Sequence, residues 1–219
     1  MTIHVRTIYR EGTAPVEAGR IFCLTRNYAA HAKEMGADPT KLPSIFMKPA
    51  TAIVQLEADR DVPVTHPSHG KDLHHEVELV MLCLNPDDNR YAFGVGVDLT
   101  LRDIQADLKA RSLPWEAAKA FDQSAPVGSF FEAHLLNRET LRIELYVNEE
   151  LRQSGTVDQM IIPLEEIPSY VGRIFPLRPG DLIFTGTPEG VASIQRGDRV
   201  EISLQDGSRL LEKATFTIA

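Results

Sequence analysis

Apolar residues alternate along part of the second half of the chain, and this alternation most narrows the folds that the chain can adopt. Every second residue from Leu141 to Val147 is apolar, which predicts a strand with one buried face, and the turn-prone residues 148–150 end it. Residues 181–185 and 199–204 are predicted strands too, separated by turns that carry glycine and proline. Because such short strands outnumber the helical segments, the sequence predicts an α+β fold in which β-sheet dominates.

The first half of the chain mixes strand, helix and loop signals. Ile21–Leu24 is a continuous apolar run typical of a buried strand, and residues 26–35 carry the pattern of a short helix. Residues 36–43 contain two prolines and a glycine, so we predict that the helix stops there and that this segment is a mobile lid. The polar residues 1–20 predict an edge hairpin at the start of the chain.

Length and composition suit one domain with a single core. The chain has 219 residues, of which 43% are hydrophobic and 25% are charged. We therefore divide it into an N-terminal segment, residues 1–16, and one domain, residues 17–219. The formal charge of −8 disfavours a surface for nucleic acid or anionic membranes, but it is compatible with a local basic pocket for an acidic small molecule.

Two features of the sequence bear on the cellular compartment. Cys23 and Cys83 each lie inside an apolar run, which predicts two buried free thiols and a reducing environment. No apolar run approaches the roughly 18 residues of a membrane-spanning helix, and residues 1–19 lack the apolar core of a signal peptide. We therefore expect a cytoplasmic protein with no membrane partner.

Three acidic residues form the strongest chemical signal in the sequence. Glu76 and Glu78 are two residues apart in an apolar run, so both carboxylates leave the same face of a predicted strand. Asp98 follows a Gly-rich apolar stretch and precedes a helical pattern, which places it at a strand-to-helix junction. The Glu-x-Glu pair alone is more typical of a solvated strand face. Together, the three carboxylates predict a site for one hard divalent metal ion, because like charges in one site require a cation or a proton.

Polar side chains follow Asp98 at helical spacing. Arg102 is four residues after Asp98 and Gln105 is seven residues after it, so both lie on one face of the predicted helix. Ile104 lies on another side of the helix. A guanidinium and an amide beside a metal suit a substrate with carboxylate or carbonyl oxygens. The alternative interpretation is that Asp98 and Arg102 form an ordinary surface ion pair on the helix, which is common and contributes little to stability.

Histidine and lysine are the candidate groups for proton transfer and cation binding. His31 and Glu34 are three residues apart on the predicted helix, so the carboxylate can fix the histidine tautomer and raise its basicity. The spacing alone is more typical of an exposed His–Glu pair. Lys119 lies in an otherwise apolar run and is therefore a candidate site residue. Lys48 has less to distinguish it from an ordinary surface lysine.

Six ordered blocks of the chain resemble a known family. The chain is similar to the fumarylacetoacetate hydrolase family, and within it to the short single-domain acylpyruvate hydrolases and oxaloacetate-processing enzymes. The matching blocks are residues 26–35, 46–49, 74–79, 98–105, 114–122 and 185–191. The resemblance implies the rolled, mixed β-sandwich of the family's C-terminal domain, with short helices at the active site. It also implies a homodimer.

The resemblance implies a role for each residue of the site. The implied ligands of Mg²⁺ or Mn²⁺, with Ca²⁺ as an alternative, are Glu76, Glu78 and Asp98. The implied catalytic residues are His31 and Glu34, which would activate water, and Lys119, which would bind a substrate oxygen. The implied substrate-binding residues are Arg26, Lys48, Arg102, Gln105 and Thr187. The loop that carries Thr187 closes one side of the pocket in the family, although by itself it is an ordinary glycine-bearing turn.

The reaction implied by the resemblance is the hydrolysis of an acylpyruvate, such as fumarylpyruvate or acetylpyruvate. Water attacks the remote carbonyl, the carbon–carbon bond breaks, and pyruvate leaves as an enolate that the metal stabilises. Two alternatives stay open: decarboxylation or tautomerisation of oxaloacetate, and isomerase or hydratase action on dienoates from aromatic-ring catabolism. A homologue that has lost catalysis is disfavoured, because each matched position keeps a competent residue type.

Two further observations bear on the resemblance. His74 and His75 offer a rival site for zinc, but only His74 shares the predicted face of the glutamates. We therefore expect His74 beside the site and His75 in the core. Ala50 follows Lys48 and Pro49 where many relatives carry a hydroxyl or an acid, which predicts an altered substrate preference.

Overall fold

Strands dominate the structure, a computed structural model that describes residues 2–9, 12–34, 36, 38, 40–58 and 60–219. Within these residues the first nine strands are β1 (His4–Tyr9), β2 (Gly12–Glu17), β3 (Ile21–Leu24), β4 (Ile45–Lys48), β5 (Ile53–Gln55), β6 (Asp61–Val64), β7 (Leu73–His75), β8 (Val77–Asn85) and β9 (Arg90–Val97). The remaining strands are β10 (Thr100–Leu101), β11 (Ala125–Val127), β12 (Phe130–Glu132), β13 (Leu141–Val147), β14 (Glu150–Thr156), β15 (Leu182–Phe184), β16 (Ala192–Ile194), β17 (Arg199–Asp206) and β18 (Arg209–Ile218).

Helices are few and short. The α-helices of the described residues are α1 (Ala29–Glu34), α2 (Arg102–Ala110), α3 (Glu116–Lys119) and α4 (Ile167–Gly172). The same part of the chain contains four 3₁₀ helices, at Ala50–Ala52, Ala133–Leu135, Arg138–Thr140 and Val157–Gln159. Searched over the described part of the chain, no helix is long and apolar enough to cross a membrane. The predominance of strands over helices confirms the predicted α+β class.

Three sheets organise the strands of the described residues. The largest has ten strands in the order β2-β1-β12-β9-β8-β15-β3-β4, with β11 paired to β9 and β5 paired to β11. A five-stranded sheet has the order β14-β13-β17-β18-β6, and a small sheet has the order β10-β7-β16. The main apolar core joins both larger sheets, since Leu79 and Val95 of one and Ile143 and Ile202 of the other belong to the same buried cluster. Burial of each such side chain contributes about 1.5–3 kcal/mol.

Several predicted elements are confirmed. The alternation along β13 holds, because Leu141, Ile143, Leu145 and Val147 are buried whereas Arg142 is exposed. The predicted strands at residues 181–185 and 199–204 are observed as β15 and β17, and the continuous apolar run is β3. Strands β1 and β2 form the predicted edge hairpin, with residues 10 and 11 outside the described residues. Cys23 and Cys83 are buried free thiols, as expected.

Other predictions fall partly outside the described residues. The helix predicted at residues 26–35 is observed as Ala29–Glu34, and residue 35 lies outside the described part. The helix starts late because Arg26 has a φ of 55°, which is incompatible with a right-handed helix. Residues 37 and 39 of the predicted lid also lie outside the described residues, so the lid stays a prediction. The division at residue 16 stays a prediction as well.

The large sheet brings the chemically distinctive segments to one edge. Strand β15 runs parallel to β3, β8 runs antiparallel to β15, and β9 runs antiparallel to β8. The carboxyl ends of β3, β9 and β15 therefore meet the start of β8. Helix α1 follows β3 and helix α2 follows β10, so the first residues of both helices lie near that edge.

Candidate active site

A cavity of about 250 Å³ lies at this edge of the large sheet. All the predicted site residues except Glu34 and Lys48 line it. The full lining is Leu24, Thr25, Arg26, His31, Phe46, Glu76, Glu78, Asp98, Arg102, Gln105, Lys109, Trp115, Lys119 and Thr187. A larger groove of about 730 Å³ lies elsewhere, beside Tyr91 and Pro168, and none of these residues reaches it.

Three buried carboxylates converge in the cavity. One oxygen each from Glu76, Glu78 and Asp98 lies within 4.8 Å of the other two, and no other such cluster of potential metal ligands occurs within the described residues. Asp98 follows β9, as predicted, but Glu76 precedes β8 and so does not share a strand with Glu78. The two acidic segments are joined by the backbone, because Asp98 N donates to Glu76 O at 2.8 Å.

Two cations that line the cavity contact this carboxylate trio. Lys119 Nζ lies 2.8 Å from Glu76 Oε2 and 2.7 Å from Asp98 Oδ2, and Arg102 Nη2 donates to Glu76 Oε1. Burial alone raises the pKa of Glu76, but Lys119 and Arg102 outweigh it and hold that pKa well below its ordinary value. Burial lowers the pKa of Lys119, yet Asp98 and Glu76 raise it above its ordinary value. Both groups are therefore charged near neutral pH.

Glu78 differs from Glu76 in its surroundings. Its Oε2 accepts a hydrogen bond from Gly186 N at 2.6 Å, and among the described residues no cation lies within ion-pair distance of it. Burial, Asp98 and Glu76 raise the pKa of Glu78 well above its ordinary value. An additional positive charge in the cavity would therefore favour the ionised form of Glu78.

The trio fits a hard divalent cation. All the donor atoms are carboxylate oxygens, which Mg²⁺ and Mn²⁺ prefer. Asp98 Oδ1 is buried and receives no hydrogen bond, although Lys48 Nζ lies 2.8 Å from it at ion-pair distance. The residues that could hold the metal are thus the three that the sequence singled out.

Lys48 lies behind the trio and does not line the cavity. It is fully buried, and its Nζ donates to Ser124 O and Ser124 Oγ at 3.0 Å and also to Lys119 O. The Nζ also lies 2.8 Å from Asp98 Oδ1, within ion-pair distance but without hydrogen-bond geometry. Lys48 therefore balances the charge of Asp98, and this position does not support contact with a substrate.

Replacing Lys48 tests this structural role. We expect Lys48→Met to lower the free energy of unfolding by about 3–5 kcal/mol, since it removes a buried cation beside a buried carboxylate while keeping the side-chain volume. Urea denaturation of the metal-free protein measures the loss. Lys213→Met, which breaks only an exposed ion pair with Glu201, should change stability by less than about 1 kcal/mol. Equal losses in the two variants would contradict the assignment.

His31 and Glu34 form the predicted pair on α1. His31 is buried, and its Nδ1 lies 3.0 Å from Glu34 Oε2. A carboxylate only accepts hydrogen bonds, so Nδ1 carries the hydrogen and Nε2 is the basic nitrogen. Glu34 is held in turn by Gly190 N, which donates to its Oε1 at 3.1 Å. Gly190 has a φ of +93°, and a Cβ there would lie 2.2 Å from Arg152 O, so only glycine fits.

Gln153 is a site component that the sequence analysis missed. Its Nε2 donates to Thr187 Oγ1 at 2.8 Å, and its Oε1 accepts from Val77 N at 3.0 Å. Gln153 therefore ties the loop of the cavity to the residue between the two glutamates. It is buried on β14 although Leu151 of the same strand is exposed, so no alternation in the sequence marks it.

The remaining predicted residues are placed as follows. Helix α2 begins at Arg102, whose Nη1 donates to Gln105 Oε1 at 2.7 Å, so this pair shares a helical face as predicted. His75 is buried and contacts Gln153 Oε1 at 2.9 Å through its Nδ1. His74 Nε2 lies 3.0 Å from Asp72 Oδ2 and does not line the cavity. Neither histidine joins the carboxylate trio, which disfavours the rival zinc site.

The fold and the site together define a class of protein, a sheet-rich domain built around an acidic trio and a His–Glu pair. The chain belongs to the fumarylacetoacetate hydrolase family, because the family model described as fumarylacetoacetate (FAA) hydrolase C-terminal matches residues 20–214. It is 38% identical over 202 residues to oxaloacetate tautomerase YcgM of Escherichia coli (strain K12), covering 87% of this chain and 90% of that protein.

A mammalian relative and a solved structure extend the likeness. The chain is 40% identical over 194 residues to the mitochondrial oxaloacetate tautomerase FAHD1 of Mus musculus, covering 84% of this chain and 86% of that protein. The fold matches the crystal structure of fumarylpyruvate hydrolase from Pseudomonas aeruginosa in complex with Mn²⁺ and pyruvate. That match has a TM-score of 0.90 and 36% identity, and it covers 99% of this chain and 96% of the other. The predicted family and its sheet-dominated fold are thereby confirmed.

Proposed function

We propose that this chain is a divalent-metal-dependent hydrolase that cleaves the carbon–carbon bond of acylpyruvates such as fumarylpyruvate or acetylpyruvate. The observation that carries the proposal is the His31–Glu34 pair, whose histidine lines the same cavity as the carboxylate trio. A basic imidazole beside a potential metal site suits the activation of water. The likeness to a fumarylpyruvate hydrolase in complex with Mn²⁺ and pyruvate supports the same reaction.

The cavity offers separate groups for binding a 2-oxo acid. Mg²⁺ or Mn²⁺ held by Glu76, Glu78 and Asp98 would supply a Lewis acid that polarises substrate oxygens. Arg102 and Gln105 present a guanidinium and an amide on the wall of the cavity. These planar groups orient the substrate carboxylate through directed hydrogen bonds, and such positioning contributes a large share of a barrier reduction.

The His–Glu pair performs the proton transfers in this proposal. The Nε2 of His31 takes a proton from water while the oxygen of that water bonds to the remote carbonyl carbon. The bond between this carbon and the methylene carbon of the pyruvate unit then breaks, and its electron pair passes to pyruvate as the enolate. The proton held by His31 returns to the methylene carbon, so the products are pyruvate and a carboxylic acid. Glu34 keeps the imidazole oriented throughout.

Tautomerisation of oxaloacetate is the second candidate. Two relatives, from Escherichia coli and Mus musculus, carry this activity in their names. The same groups can bind oxaloacetate, because it has a carboxylate next to an oxo group. Its keto–enol exchange moves only a proton between carbon and oxygen and needs no attacking water.

A substrate panel separates the two candidates. On the purified, Mn²⁺-loaded chain we expect acetylpyruvate or fumarylpyruvate to lose ultraviolet absorbance with release of one pyruvate per substrate. The enol form of oxaloacetate is assayed beside them. Turnover of oxaloacetate alone would contradict the hydrolase and favour the tautomerase. No turnover of any of the three would favour a homologue without catalysis.

Three other expectations remain predictions. These are isomerase or hydratase action on dienoates, oxaloacetate decarboxylation, and a cytoplasmic homodimer. None of them is needed for the hydrolase proposal.

A further inference from the structure

Two cations line the cavity and pair with no carboxylate of the described residues. Arg26 and Lys109 belong to its lining, and each residue is partly exposed to solvent. Counting only the described residues, neither side chain has a carboxylate within ion-pair distance, and neither makes a hydrogen bond. Arg102 and Lys119, the other cations of the lining, are both paired with carboxylates. In a chain with a formal charge of −8, two unpaired cations at one cavity mark a place for an anion.

The backbone holds Arg26 in an unfavourable conformation. Its φ of 55° is uncommon for a residue other than glycine, and such strain persists only where the surroundings impose it. Asn27 imposes it here, because its side chain donates to Thr185 O at 2.8 Å and accepts from Ile162 N at 2.8 Å. Arg26 is therefore fixed at the cavity by the turn between β3 and α1.

Two aromatic rings connect Lys109 to the buried end of the cavity. Lys119 Nζ, beside the carboxylate trio, lies 5.2 Å from the ring centre of Phe46. The rings of Phe46 and Trp115 are 6.2 Å apart, and Lys109 Nζ lies 5.0 Å from the ring centre of Trp115. The cavity thus has three regions: charged groups at its buried end, aromatic rings along one side, and cations at its opening. A ligand that matches all three regions has two anionic ends joined by an apolar or unsaturated stretch.

The electrostatic surroundings of Lys109 agree with this arrangement. Partial burial lowers the pKa of Lys109, and the nearby cations Arg102, Lys119 and Arg26 lower it further. Glu76 opposes this effect. An anion bound between Lys109 and Arg26 would offset the repulsion among these cations.

We propose that Arg26 and Lys109 bind the distal carboxylate of the substrate, so that the enzyme selects acylpyruvates whose acyl group ends in a carboxylate. This inference rests on the proposed function, because it assumes that the 2-oxo acid end of the substrate lies at the carboxylate trio. Fumarylpyruvate has such a distal carboxylate and an unsaturated spacer, whereas acetylpyruvate has neither.

Two unreactive ligands of equal length test the proposal without turnover. Calorimetry on the Mn²⁺-loaded full chain compares 2-oxoheptanedioate with 2-oxoheptanoate, which differ only in the distal carboxylate. We expect the dicarboxylate to bind about tenfold more tightly, as a charge-assisted contact at a partly exposed site allows. Lys109→Met, which keeps the stem over Trp115, should bring the two affinities to within about twofold by weakening only the dicarboxylate.

Matched variants and a kinetic readout complete the test. Lys109→Arg should keep the preference for the dicarboxylate, and so should Lys213→Met, which removes one positive charge far from the cavity. With fumarylpyruvate, Lys109→Met should raise KM while kcat changes little. Equal affinities in the unmodified chain, or equal weakening of both ligands by Lys109→Met, would overturn the proposal. Failure of the hydrolase proposal gives a different result, in which the dicarboxylate preference is present but no acylpyruvate is cleaved.

Discussion

Glu78→Gln is expected to lower acylpyruvate turnover by about 10³-fold or more while the metal-free protein stays at least as stable as the unmodified chain. Activity is lost because the variant lacks one of three carboxylate ligands. Stability is kept because Glu78 has no ion-pair partner among the described residues and is opposed by the charges of Glu76 and Asp98. The amide keeps the shape of the side chain and an oxygen for Gly186 N.

Thermal unfolding with and without Mn²⁺ measures both parts of this prediction. The unmodified chain should unfold at a higher temperature when Mn²⁺ is added, since an ion that binds only the folded state stabilises it. Glu78→Gln should lose this shift. Glu212→Gln is the matched control, because Glu212 is a buried carboxylate that contacts Ser129 and lies outside the cavity. An undiminished Mn²⁺ shift or full activity in Glu78→Gln would rule out its role as a ligand.

His31→Asn is expected to lower kcat for acylpyruvate hydrolysis by about 10²–10⁴-fold, the usual contribution of a general base. The affinity for pyruvate in the presence of Mn²⁺ should change little, because His31 is not among the metal ligands or the carboxylate-binding groups of the proposal. Glu34→Gln should also lower kcat, since an amide does not stabilise the charged imidazole and its NH₂ group can turn toward Nδ1 and select the wrong tautomer.

Steady-state kinetics with calorimetry of pyruvate binding separates these effects. Lys33→Ala serves as the control on the same helix, because Lys33 is exposed and does not line the cavity. A His31→Asn variant that hydrolyses acylpyruvates at the unmodified rate would exclude the imidazole as the base. A variant that no longer binds pyruvate would instead indicate that His31 holds the cavity in shape.

Local sequence patterns predicted much of the fold and many of the site residues. Strand β13 follows from its alternation, and the buried strand β3 follows from its continuous apolar run. The pairing of His31 with Glu34 follows from helical spacing, since residues three apart meet on one face. The convergence of Asp98 with the two glutamates was predicted from residue types and from the family resemblance, and the register of β8 with β9 shows how it arises.

Other parts of the site could not be read from local patterns. Lys48 looks like an ordinary lysine in sequence, yet it lies against Asp98, fifty residues further along the chain. Gln153 contributes from the five-stranded sheet to a site on the ten-stranded one. Glu76 was expected within a strand but lies just before one, because β7 ends at His75 and β8 starts at Val77.

The sequence by itself determined the sheet-dominated class, the family, and the acidic and basic residues from which the site is built. These predictions depend on the spacing of residue types along the chain, because that spacing determines which side chains share a face of a strand or helix. Only the tertiary structure decided which cations are paired and that Lys48 lies behind the carboxylates. It also decided that Arg26 and Lys109 face the cavity with no carboxylate partner among the described residues. The physical reason is that the charge state and the contacts of a side chain depend on neighbours that strand pairing brings close from distant segments. Spacing along the chain does not encode the distances between such segments.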